Sequence, residues 1–303
     1  MKLLVQPDAG IEPLLHAIKL ARKSIDILIF RLDLKELLEA LRAAQGRGVN
    51  VRALIAHTNR GGEKSLRELE MRLLDAGLTV TRTAGELLRY HGKMMIIDQR
   101  VLHVFGFNFT SLDIRRSRSL GVTTRNHALV REALKLFEAD SARQPYTAGS
   151  PRFVVSPENS RERLSEFIKG ATRQVLIYDP KVSDPGILRL LVEHTKAGVD
   201  VRIIGKVSKK RGAQLTAERY PGKRLHVRAI IRDGRRAFVG SQSLRKLELD
   251  KRREVGAIVT DAAVVKQMQK VFEDDWAKTE TGKKAGAQQP QAKAPDTLAA
   301  RAS

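Results

Sequence analysis

"RYHGKMMIIDQRVLHVFGFNFTSLD", residues 89–113, aligns without a gap on "RLHVRAIIRDGRRAFVGSQSLRKLE", residues 224–248, at an offset of 135. Each stretch carries a histidine (His91, His226), a cation two residues on (Lys93, Arg228) and an aspartate seven residues after the histidine (Asp98, Asp233). A small or polar cluster follows: Phe105-Gly106-Phe107-Asn108 in one, Gly240-Ser241-Gln242-Ser243 in the other. Along an extended chain, side chains at i and i+2 share a face, so each histidine projects together with its cation. Both aspartates fall on the opposite face and are expected to bind neighbouring backbone. A lone histidine on a strand is usually structural, and His16, His57, His103, His127 and His194 are placed in that class. Recurrence with a cation singles out His91 and His226.

Upstream the repeat continues at an offset of 150. "LLHAIKLARKSIDILIF" (14–30) reads as a helix feeding a strand, and "LKELLEALRAAQGRGVNVRALIAH" (34–57) as a second such pair. Ile18-Lys19 meets Ile168-Lys169, and Gly48-Val49-x-Val51-Arg52 meets Gly198-Val199-x-Val201-Arg202. Matches in register over two helix–strand units indicate a duplicated fold. The two offsets differ by 150 − 135 = 15 residues, which fall within 57–90. There "EKSLRELEMRLLDAGLTVTRT" predicts a full helix and a short strand. The expected division is a first repeat over 1–140, a connection over 141–152, a second repeat over 153–276 closed by an amphipathic helix, and a disordered tail over 277–303.

The chain has 303 residues and a formal charge of +22, from 56 Lys and Arg against 34 Asp and Glu. The tail contributes 5 − 2 = +3, so the folded part carries 22 − 3 = +19 and attracts anions. Part of that charge is a general Arg-rich composition, and charge alone does not choose between nucleic acid, anionic membrane and small phosphates. With no cysteine there are no disulfides, thiolate metal sites or thiol nucleophiles. No apolar run is long enough for a membrane span or a secretory signal, which predicts a cytoplasmic protein, peripheral to the inner membrane if it meets lipid.

The doubled motif resembles that of the phospholipase D superfamily, H-x-K-x4-D-x6-G-S/T-x-N in each half, over roughly residues 10–276. "RYHGKMMIID", "GFNFT" and "GSQSLRKLELDKRREVG" look most like its small bacterial cardiolipin-synthase-like members. The resemblance implies an α/β fold of two tandem repeats, each a mixed β-sheet flanked by helices, joined with pseudo-two-fold symmetry so that both histidines face one phosphodiester. It implies that one histidine attacks phosphorus to form a phosphohistidine and the other protonates the leaving oxygen, then activates water or an alcohol. Lys93 and Arg228 would hold the phosphoryl oxygens, with Asn108, Ser241 and Ser243 as further donors. No metal or other cofactor is implied. Glu254, 28 residues after His226, stands where the family commonly has a carboxylate that orients an imidazole; a surface salt bridge with Arg252 or Arg253 is the competing reading.

Three positions depart from the pattern: Arg228 for lysine, Phe105-Gly106 for Gly-Ser/Thr, and Ser119 where the first half would carry the glutamate. The H-x-K half favours His91 as nucleophile and His226, with Glu254 beside it, as general acid; the inverted assignment stays open. The expected activity is that of a phosphodiesterase or phosphatidyltransferase on phospholipid head groups. Docking on anionic lipid would use "KVSKKRG" (206–212), "IRRSRS" (114–119) and "DKRRE" (250–254). The alternatives are a nuclease using the same histidines on DNA or RNA, disfavoured as a single-strand binder by 5% aromatic residues, and a degenerate phosphate-binding scaffold.

Overall fold

The computed structural model describes residues 1–58, 63–208 and 212–287. The first half runs β1 (Lys2–Gln6), α1 (Glu12–Leu20), β2 (Ser24–Ile29), α2 (Lys35–Gly46), β3 (Asn50–Ile55), α3 (Glu63–Asp75), β4 (Thr79–Arg82), β5 (Arg89–Tyr90), β6 (Met94–Ile97), β7 (Val101–Phe105), α4 (Ser111–Arg116), β8 (Ser119–Thr124) and α5 (His127–Ser141). The second runs β9 (Phe153–Ser156), α6 (Ser160–Lys169), β10 (Gln174–Val182), α7 (Pro185–Lys196), β11 (Asp200–Val207), β12 (Thr216–Glu218), β13 (Ala229–Arg232), β14 (Arg236–Gly240), α8 (Lys246–Asp250), β15 (Arg252–Val259) and α9 (Ala262–Trp276). Most of the extra residues of the first half lie between β3 and β4, where α3 stands.

Each half builds one mixed sheet. The first has the order β1-β8-β7-β6-β2-β3-β4; the second has β12-β11-β10-β13-β14-β15-β5, with β9 also on β15. The helix–strand units pair parallel (β2 with β3, β10 with β11) because a helix must carry the chain back, while the motif hairpins pair antiparallel. Outer faces are covered by α1, α2 and α3 in the first half and by α6 and α7 in the second, each over its own apolar core. Between the sheets lies a third core to which both halves contribute, among them Met94, Ile96 and Phe137 from the first and Tyr178, Val227 and Phe272 from the second.

The duplication extends to how the closing helices are fixed. Arg52 on β3 reaches Glu138 at 2.6 Å and lies over the Phe137 ring; Arg202 on β11 reaches Glu273 at 2.7 Å and lies over Phe272. Motif aspartates mark the hairpin turns. Asp98 (φ 51°) accepts backbone N–H groups of Arg22, Lys23 and Ser24 at 3.1, 2.6 and 3.0 Å; Asp233 (φ 53°) accepts those of Thr172, Arg173 and Gln174 at 3.1, 2.8 and 3.0 Å. Burial alone would push these carboxyls up, but the backbone donors outweigh it and hold both below the usual value.

The halves exchange structure. β5 pairs in parallel with β15, Tyr90 opposite Arg253, and the related bridge joins Leu225 to Arg118. Two buried ion pairs follow the same symmetry: Arg253 to Asp140 at 2.9 Å and Arg118 to Asp275 at 3.0 Å, the latter carboxylate also accepting from the Tyr178 hydroxyl at 2.6 Å. The expectation of disorder from residue 277 is corrected for part of that segment. α10 (Glu280–Ala287) forms there because Thr279 caps it, its hydroxyl oxygen accepting from Gly282 N at 3.1 Å, and Thr281 bonds Glu218. Residues 288–303 lie outside the described residues.

Candidate active site

Strand exchange decides what surrounds each histidine. His91 N–H donates to the carbonyl of Arg253 at 2.7 Å, and His226 N–H to that of Arg118 at 2.9 Å, so each histidine lies against the last strand of the other half. Both are buried. The residue after Arg253 is Glu254, whose Oε2 is 2.8 Å from His91 Nδ1. Glu254 therefore supports His91, which corrects the sequence expectation that it stands beside His226. It is fully buried, which corrects the surface placement of the salt-bridge reading: Arg252 Nη1 lies 3.9 Å from its Oε1, while Arg253 turns to Asp140 and Glu158.

His226 takes its carboxylate from a residue the sequence reading passed over. Ser119 occupies the position related to Glu254 (254 − 135 = 119), and its hydroxyl donates to His226 O at 3.4 Å. Asp113, on α4, lies instead with Oδ2 3.3 Å from His226 Nδ1. The α4 N-cap, Thr110, accepts from Asp113 N at 3.2 Å, while the carboxylate accepts from Asn108 N at 2.8 Å and Nδ2 at 2.7 Å and pairs with Arg224. A signal was present: Glu248 stands at 113 + 135, so both repeats place a carboxylate five residues after Asn108 or Ser243. Glu248 accepts from Ser243 N at 2.9 Å and turns to Arg245 and Arg252.

The expected phosphate donors Asn108, Ser241 and Ser243 are engaged by the protein itself. Asn108 holds Asp113; Ser241 Oγ accepts from Val255 N at 3.0 Å; Ser243 Oγ bonds Asp179. Their positions in tight loops after β7 and β14 leave them facing buried backbone and carboxylates. Gly106 has its own reason: a Cβ there would meet Leu120 O at 2.9 Å and Gly240 O at 3.1 Å, so the serine of the family pattern has no room.

Both motif cations fold back on their histidines. Lys93 is fully buried, its Nζ 2.9 Å from His91 Nδ1 and donating to His91 O; Arg228 Nη1 donates to His226 O at 3.4 Å. Burial holds the Lys93 ammonium well below its ordinary value, with Glu254 opposing. Burial, then Lys93 and Arg228, holds His91 well below 6.5; burial, then Arg228 and Lys93, does the same to His226, and His91 is itself among the charges His226 feels. Both imidazoles therefore rest neutral at pH 7. In the tautomer with Nδ1–H directed at Glu254, the lone pair of His91 sits on Nε2. The ring of Phe30 packs edge-on against His91 at 4.5 Å and lies beneath Lys93. Of the remaining histidines, His103 contacts Thr123 and His194 contacts Ile168 O, both inside the scaffold.

Two sheets related by a dyad, with a histidine from each and a carboxylate for each, define a phospholipase D-type chain. It belongs to the family described as cardiolipin synthase, PLD-like domain, which matches residues 14–141 and 164–276. A polyphosphate kinase of Pseudomonas aeruginosa is 25% identical over 252 residues, 76% of this chain and 36% of that one; the chain thus spans about a third of that relative. Among solved structures, a polyphosphate kinase from Porphyromonas gingivalis superposes with TM-score 0.75 at 18% identity, over 90% of this chain and 46% of the other. Phosphatidylserine synthase of Haemophilus influenzae Rd KW20 gives TM-score 0.67 at 12% identity, over 91% and 85%. Among the described residues no helix is long and apolar enough to cross a membrane.

Proposed function

We propose that the chain transfers a phosphoryl-type group through a phosphohistidine, with His91 as nucleophile and His226 as general acid and base. The observation that carries this is the crossed pairing of each imidazole with a carboxylate, His91 with Glu254 and His226 with Asp113. His91 Nε2 forms a bond to phosphorus as the P–O bond to the leaving group breaks. The phosphate brings negative charge that offsets Lys93 and Arg228, raising the His226 pKa so that a proton is held there for the leaving oxygen. In the second half, neutral His226 takes a proton from water or an acceptor alcohol, whose oxygen displaces His91. Lys93 and Arg228 stabilise the charge on the non-bridging oxygens in both steps. Arg228 in place of lysine keeps charge and adds a planar fork. A hydrogen-bonded His91–Glu254 pair and a carboxylate 3.3 Å from His226 Nδ1 speak against a degenerate scaffold.

The leading substrate is a phospholipid head-group diester, with the basic surface and peripheral membrane association serving it. The matched family and the phosphatidylserine synthase fold support that reading. A second reading, transfer from polyphosphate, is favoured by the polyphosphate kinase match over 76% of the chain. Nucleic acid is the remaining phosphodiester and the third arm of the test. The protein and its His91→Ala and His226→Ala variants are incubated with chelator and labelled phosphatidylglycerol, polyphosphate or DNA, and quenched in alkali to preserve phosphohistidine. The expected result is label on the wild type and on His226→Ala, slowly, and none on His91→Ala. Turnover unchanged in both variants would overturn the proposal, and loss of activity with chelator would overturn its metal-independent form.

A further inference from the structure

The two halves differ most beside their histidines. Next to His226 is a cavity of 440 Å³, within the roughly 300–1,000 Å³ of ligand clefts, lined among others by Pro180, Lys206, Arg219, Tyr220, Lys223 and Arg224. No carboxylate lines it. Arg224 and His226 are two residues apart on extended chain and share a face, about 7 Å apart along it. Arg224 is already occupied by Asp113 and Ser117. Lys206, Arg219 and Lys223 make no ion pair among the described residues, so the cavity holds cations without a counter-charge.

The first half supplies an internal control. Registers Ile29 opposite Ile55 and Asp179 opposite Gly205 fix the offset of 150 at this point, and the histidines fix 135 downstream. The registers Arg52 opposite Thr79 and Arg202 opposite Thr216 give 137 at β4 and β12, so the related positions are Phe30 for Pro180, Ala56 for Lys206, Arg82 for Arg219 and Leu88 for Lys223, and Arg89 agrees with Arg224. Beside His91 an aromatic ring fills the space. Beside His226 a proline leaves it open, Lys206 and Lys223 replace an alanine and a leucine, and Arg219 makes no ion pair among the described residues where Arg82 pairs with Glu70. An Arg-rich composition serving solubility would charge both halves alike.

The geometry points to a second anion site in this cavity, which binds a phosphate carried by the leaving group or acceptor, so that the group exchanged at phosphorus is itself phosphorylated. The assignment rests on the reading above that His226 serves the leaving oxygen. A neutral alcohol departing past His226 leaves the exposed side chains of Lys206, Arg219 and Lys223 without an anionic partner; a phosphorylated one supplies it. Polyphosphate and a nucleoside-diphosphate-activated lipid share this chemistry.

Binding of inorganic tripolyphosphate to the full chain, measured by calorimetry, tests the site without turnover. Lys206→Ala/Lys223→Ala is expected to weaken it about tenfold, roughly 1.4 kcal/mol, and Pro180→Phe to weaken it by filling the cavity. Lys2→Ala/Lys266→Ala, an equal loss of charge elsewhere, is expected to leave it unchanged. Equal weakening in both pairs, or in neither, overturns the site. If tripolyphosphate binding falls as expected but no phosphorus substrate is turned over, the site stands and the phosphohistidine reading falls. In turnover, the KM for polyphosphate or for the activated lipid rises in Lys206→Ala/Lys223→Ala, and the one that rises names the source. A rise for neither, with the histidine variants still dead, overturns the site alone.

Discussion

Glu254→Gln isolates the charge beside His91 at nearly constant volume. The amide oxygen still accepts Nδ1–H across the 2.8 Å contact, so the tautomer is preserved and only the negative charge is lost. A hydrogen bond to a charged group contributes about 1.5–3 kcal/mol and a neutral one about 1 kcal/mol. The difference, about 0.5–2 kcal/mol, slows phosphohistidine formation roughly two- to thirtyfold at about 1.36 kcal/mol per decade. Rapid quench of a single turnover with labelled substrate measures that step directly. The pH profile gives a second reading: His91 already lies well below 6.5 through burial, Lys93 and Arg228, and removing an adjacent anion lowers it further. The acidic limb of the formation step should move to lower pH. A Glu254 that merely fills space would leave the limb in place. Slower decay of the phosphoenzyme with unchanged formation would refute the crossed pairing, because a carboxylate that supports the nucleophile must act on formation.

Gly106→Ser, which restores the family pattern, should cost about 1–3 kcal/mol in urea unfolding and give no gain in activity, because its side chain meets two backbone carbonyls. Asp275→Ala strips a buried ion pair and the Tyr178 hydroxyl of their shared acceptor; a loss of about 3 kcal/mol is expected, at the low end for such pairs since Asp8 remains 3.2 Å from Arg118. His103, pushed down to about 4 by burial, stays neutral in the fold while the unfolded chain takes up its proton below about 6.5. Its contribution is complete above pH 6.5 and is lost as pH falls, about 2 kcal/mol by about pH 5; His103→Gln should flatten that part of the curve, and an unchanged slope would contradict the assignment.

The duplicated motif was readable because repetition at a fixed offset singles out His91 and His226 from the other five histidines. The aspartates were placed away from the histidines by strand alternation, and they sit at hairpin turns clasping a preceding loop. Glu254 was found but assigned to the wrong imidazole, because distance along the chain says nothing about a two-residue strand, β5, that leaves its own sheet. Asp113 was missed for a related reason: it lies on a short helix whose position depends on Arg224 of the other half. Asn108, Ser241 and Ser243 were read by residue type as phosphate donors, whereas the tightness of their loops turns them inward.

The contact between His91 and Glu254 spans 163 residues. During synthesis His91 leaves the ribosome long before Glu254 exists, and local folding of the first half supplies it with Lys93 but no carboxylate at Nδ1. Contacts of such sequence separation form late. On the mechanism proposed above, the nascent chain is expected to gain activity toward phosphate esters only once β15 is in place, and a fragment lacking either half to lose it.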